Sequence, residues 1–137
     1  MKPSLTVIVL ITAMLTSCNL EPGPMSYTNV AIPFEEYQVP ETGIIDQPVN
    51  IYVSARADNG CWSNIRFLLK QNDDREFDAW AIADFSSDGE CPAVEVSADS
   101  TLTFTPTRTG DHVISFGMPH HISIRDTVVV VAAPDRK

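Results

Sequence analysis

The alternation in NIYVSARA, residues 50–57, constrains the fold more than any other feature of the chain. Ile51, Val53, Ala55 and Ala57 fall on one side of an extended segment, and Asn50, Tyr52, Ser54 and Arg56 on the other. Successive side chains of a strand point to opposite faces, so a period of two predicts a half-buried strand. IRFLLKQ repeats the pattern with Ile65, Phe67 and Leu69, and FDAWAIADF, TLTFTP, HVISFGM and IRDTVVVV have the length and residue types of further strands. The segments between them, QNDDRE, SSDGEC, TRTGD and MPHH, are rich in turn residues. A first strand around VAIPFEEYQV brings the count to about seven, and no long stretch carries a helical period.

Short strands with a turn roughly every ten residues predict an all-β antiparallel two-sheet sandwich of immunoglobulin type, with a closed barrel as the alternative. STLTFTPTRTGDHVISF resembles the corner between the E and F strands of such domains. In many of them a tyrosine two residues after the turn glycine closes the corner through a hydrogen bond to backbone. Here that position is His112, on the same face as Ile114 and Phe116, and its ring can make the same kind of bond.

The first residues follow a different logic. Lys2 precedes an apolar run from Leu5 to Leu15, then the small residues Thr16 and Ser17, then Cys18. This is the layout of a secretory signal. A spanning helix needs roughly twenty apolar residues, so the run is too short to remain as an anchor. LTSC, residues 15–18, resembles the bacterial lipobox. That resemblance implies a diacylglyceryl group on the Cys18 thiol, cleavage before Cys18, and acylation of the new amine. One acyl chain holds a protein to a membrane only reversibly, whereas two or three hold it firmly.

Residues 1–17 are thus expected to be a signal peptide, and residues 18–29 a lipidated tether, since NLEPGPMSYTN has two prolines, a glycine and no apolar period. A single domain is expected over 30–133, with a C-terminal tail at 134–137. Loss of 17 residues from 137 leaves 120, enough for one core. Only Lys2 among the nine Lys and Arg is lost, so eight cations face eighteen acids and the mature balance is −10. That charge argues against nucleic acid and anionic headgroups as partners. With Cys18 assigned to lipid, Cys61 and Cys91 remain as a pair, and in an oxidising compartment a pair predicts a disulfide. Closing a 30-residue loop contributes roughly 3 to 4 kcal/mol in the chain-entropy treatment.

NGCW (residues 59–62), a second cysteine about thirty residues on, TFTPTRTGDHVISF and a closing TVVVV resemble a group of small lipoproteins common in the Bacteroidetes. The resemblance spans roughly residues 30 to 131. It implies an envelope location, lipid-anchored in the outer membrane and facing the periplasm or the surface, and brings no activity with it.

Few residues suggest chemistry. His120 and His121 are the best metal-ligand candidates. Adjacent strand residues point apart, and no HExxH or comparable spacing accompanies them, so exposed loop histidines are the plainer expectation. QNDDRE offers carboxylates for Ca²⁺ but lacks the glycine and final glutamate of an EF-hand loop, and a solvated hairpin turn is expected. Asp84, Asp88 and Glu90 read as surface acids. Trp62 is expected to pack on the disulfide, and Trp80 in the core against the second sheet. No G-x-S-x-G elbow, catalytic-cysteine context or phosphate loop is present in the sequence. The expectation is a non-enzymatic envelope lipoprotein without cofactor, held to the bilayer by acylated Cys18 and serving as a binding or assembly module for an envelope protein. Two alternatives stand beside it: an acidic inhibitor or trap for a cationic secreted protein, and a metal-binding protein.

Overall fold

The computed structural model describes residues 23–134, so Cys18 and the signal segment lie outside the described residues. Nine strands and one short 3₁₀ turn follow in order: β1 Met25–Ile32, β2 Phe34–Gln38, β3 Thr42–Ile44, β4 Val49–Ala57, β5 Trp62–Asp73, β6 Glu76–Ser87, β7 Val96–Phe104, β8 Gly110–Gly117, the turn Pro119–His121, and β9 Ser123–Val131. They form a two-sheet, all-β sandwich, as expected. β2, β4 and β7 make a three-stranded sheet and the other six strands the second.

β6 is the spine of the larger sheet. β5 pairs along one of its edges, and the other edge is shared: β8 takes Glu76–Trp80 and β1 takes Ala81–Ser87. The pairing departs from the expected all-antiparallel arrangement in two places, because β6 runs parallel to β8 and β3 runs parallel to β9. Both are contacts between strands remote in sequence, and a period of two carries no information on strand direction.

VAIPFEEYQV was expected to be one strand and is two, in different sheets. Pro33 lacks an N–H and cannot donate to a ladder, and the chain crosses there from β1 in the large sheet to β2 in the small one. Strand pairing also begins at Met25, ahead of the expected domain start at residue 30. The cause is a bulge between Tyr27 and Val30. It places Tyr27 and Val30 on the same face although they are three apart, and so hides the period of two.

The core lies between the sheets. In β4, Ile51, Val53 and Ala55 are fully buried while Asn50, Tyr52 and Arg56 are exposed, the alternation expected from the sequence. The middle of β6 presents small residues there, Ala79, Ala81 and Ala83, after Phe77 at its start. The volume this leaves is taken by rings. Phe34 meets Phe116 edge-on at 5.3 Å, Tyr37 stacks on Phe116 at 4.3 Å, and Phe77 and Phe104 pack at 4.3 Å. Cys61 and Cys91 form the expected disulfide, which ties the start of β5 to the loop after β6.

Candidate functional site

His112 sits at the corner of β8 with no exposed surface, flanked by the rings of Phe77 and Phe104 at 6.4 and 6.0 Å. Its Nδ1 donates to the Gly110 carbonyl at 3.0 Å, so the histidine closes the corner through backbone as the sequence suggested. A carbonyl only accepts, so Nδ1 carries a proton. Nε2 is buried with no hydrogen-bond partner. A group enclosed in this way is a packing element rather than a base within reach of a bound substrate.

His120 and His121 are exposed, both in the left-handed region at φ 64° and 61°, in the turn between β8 and β9. Among the described residues no three His, Cys, Asp or Glu side chains are grouped so as to hold a metal ion. In the β5–β6 turn Asp74 pairs with Arg108 at 2.7 Å and Asp73 accepts the Asp74 N–H at 2.6 Å, while Asn72 donates to Asp78 of β6. A hairpin turn is what this segment forms.

Asp84 is not the plain surface acid that was expected. It lies on the outer face of β6 between two bulges, one in β1 at Asn29 and one in β5 at Asn64, and both asparagines take positive φ. The Asn29 backbone N–H donates to Asp84 Oδ1 at 3.0 Å and the Asn64 amide to Oδ2 at 3.1 Å. Arg66 bridges Asp84 Oδ1 at 3.1 Å and Asn29 Oδ1 at 2.8 Å. The Asn29 N–H, then the Asn64 amide and the Arg66 guanidinium, hold the carboxyl below the usual aspartate range, against a smaller opposing effect of burial. The second bulge separates Trp62 from Ile65, again moving inward residues three apart.

Trp80 was expected in the core and lies on the outer face of the large sheet, opposite Gly117 on β8. A Cβ at Gly117 would overlap the Trp80 ring, so the indole packs flat on backbone that only glycine leaves open. Trp62 meets Phe85 edge-on at 5.0 Å and packs against the core.

The outer face of the small sheet is different. Register sets Glu36, Ser54 and Asp99 in one row across β2, β4 and β7, and Gln38, Tyr52 and Thr101 in the next. Ser54 is small, so the two carboxylates flank a hollow of about 510 Å³ whose wall is Tyr52, and Tyr52 also borders a second hollow of about 350 Å³ with Gln38, Asn50 and Thr101. Glu35 is drawn off by Arg56, which also holds Glu95. Among the described residues neither Glu36 nor Asp99 has an ion-pair partner. A carboxylate pair beside an exposed aromatic ring suits a cationic group, through charge and through the ring face. Of these residues the sequence singled out none. Its one signal was Tyr52, an aromatic ring on the polar side of an otherwise regular alternation.

Searches against protein-family profiles, curated proteins and solved structures found no match for the chain.

Proposed function

We propose that the chain is a lipid-anchored, non-catalytic binding module of a bacterial envelope, akin to the small Bacteroidetes lipoproteins whose sequence pattern it resembles. The anchoring half of the reading is supported by the short apolar run ending in LTSC, with Cys18 as the acylated residue and the outer membrane as its place. The binding half is carried by one observation, the groove where Glu36 and Asp99 face each other across Ser54 beside Tyr52. It favours a cationic partner, and with it the reading of the domain as an acidic trap for a basic secreted protein. A metal-binding reading at His120 and His121 has no comparable support, because the two exposed imidazoles have no third ligand grouped with them among the described residues.

The test is capture of a lysine-rich peptide by the purified protein at low and high salt. The reading expects binding that falls steeply with salt and weakens in Glu36→Gln and Asp99→Asn variants. Binding that ignores salt, or that survives both substitutions, contradicts it.

A further inference from the structure

The end of the sandwich at which β1 begins carries an apolar cluster that the domain leaves open. Met25 and Tyr27 are 41% and 55% exposed. Tyr27 Oη donates to Met25 Sδ at 3.9 Å, the Tyr27 ring packs on Phe85 at 6.2 Å, and Phe85 meets Trp62 at 5.0 Å, so the four side chains form one continuous strip. Register puts Tyr27 and Trp62 on either side of Phe85, on the inner face of the large sheet. Elsewhere on that face the small sheet covers the side chains, as the fully buried Ala79, Ala81 and Ala83 demonstrate. At this end the cover is partial: Ser87 is buried and Phe85 and Trp62 are half-buried, while Met25 and Tyr27 on β1 stand open at the rim.

Chain length ties the strip to Cys18. Seven peptide steps separate Cys18 from Met25, and a chain spans at most about 3.5 Å per residue, so Met25 lies within about 25 Å of the thiol. Of the described fold, β1 is the strand that this tether reaches first. Tyrosine and tryptophan combine an apolar ring with a polar tip and collect at the membrane–water interface. Asp88 and Glu90, exposed in the loop directly after Ser87, which itself pairs with Met25, oppose an anionic surface and leave a zwitterionic one as the fitting partner.

We propose that Met25, Tyr27, Phe85 and Trp62 rest in the zwitterionic headgroup layer of the membrane that holds acylated Cys18, as a second, non-covalent contact that orients the domain. The inference rests on the lipidation reading above. It turns the disulfide end of β6 toward the bilayer and the β5–β6 turn away from it.

The two tryptophans are built-in reporters. Trp62 belongs to the strip, and Trp80 lies on the opposite face of the large sheet. The acylated protein is placed in vesicles of phosphatidylcholine with brominated acyl chains, which quench nearby indoles, as a Trp80→Phe variant and as a Trp62→Phe variant. The expected result is quenching of Trp62 several-fold stronger than that of Trp80. Met25→Ser with Tyr27→Ser, made in the Trp80→Phe background, alters only exposed side chains and is expected to remove most of the difference while the acyl mass stays. Hydrogen exchange of the unmutated protein adds a readout free of substitution, with amides of residues 25–28 slowed on vesicles relative to detergent. Equal quenching of the two indoles, or stronger quenching of Trp80, in protein whose intact mass includes the acyl chains overturns the proposal and leaves the anchor standing. Protein without acyl mass overturns the anchor itself, and the proposal with it.

Discussion

The outer faces of the two sheets both carry acids around an aromatic ring, yet they treat them in opposite ways. On the large sheet, Asp84 is held by Asn29, Asn64 and Arg66, Asp78 accepts from Asn72, and Trp80 lies flat on Gly117. On the small sheet, Glu36 and Asp99 have no ion-pair partner among the described residues, and Tyr52 stands 36% exposed between two hollows. The same residue types therefore serve the fold on one face and remain available on the other. What separates the cases is whether a cation and the backbone engage the acid: Asp84 has Arg66 and the Asn29 N–H, whereas Glu36 accepts from Gln38 at 2.8 Å and has no ion pair among the described residues.

The comparison can be broken first at Gly117. A Gly117→Ala substitution forces the Trp80 ring off its seat, and overpacking of this kind costs about 1 to 3 kcal/mol. Urea denaturation followed by tryptophan emission is expected to give a lower midpoint with an unchanged slope. An unaltered midpoint would mean that Trp80 is not held by β8 and is as free as Tyr52.

Asp84→Asn is a smaller perturbation with a distinctive pH signature. The folded-state pKa lies below the unfolded one, so the carboxylate adds stability above the unfolded value, and that contribution is lost as pH falls through the folded value. The variant is expected to be less stable than wild type at neutral pH. It should also lose less on acidification from about pH 5 to pH 3, because the unfolded aspartate value is about 3.9. Parallel stability curves for the two proteins would show that Asp84 is as loosely engaged as Glu36.

The smallest expected effect is on the other face. Glu36→Gln and Asp99→Asn alter exposed side chains, and such changes usually stay within about 0.5 kcal/mol. Thermal melts should coincide with wild type even where capture of a lysine-rich peptide falls. A large loss of stability would place these acids in the fold and erase the contrast between the sheets.

Much of the fold was legible because a buried strand face imposes its period locally. β4 follows its sequence alternation residue by residue, and the turn residues between strands stand where turns form. The bulges were not legible, since an extra residue at Asn29 or Asn64 moves Tyr27 and Val30, or Trp62 and Ile65, out of the period of two. The seat of Trp80 was hidden for another reason. Alternation placed it opposite Ala79 and Ala81 but could not say which side faced the second sheet, and the alanine side of β6, with Phe77 and rings from facing strands filling the core, is the inner one. The groove was the least visible feature. Its row Glu36, Ser54 and Asp99 comes from three strands and exists only once they pair.

The proposed lipid at Cys18 would set where the domain is held and which end faces the membrane. The direct test is the intact mass and detergent partitioning of the native protein beside a Cys18→Ala variant. The account predicts a wild-type chain cleaved before Cys18, carrying acyl mass and entering the detergent phase, with a variant that is either soluble or uncleaved. A wild-type chain without acyl mass that stays in the aqueous phase would contradict it.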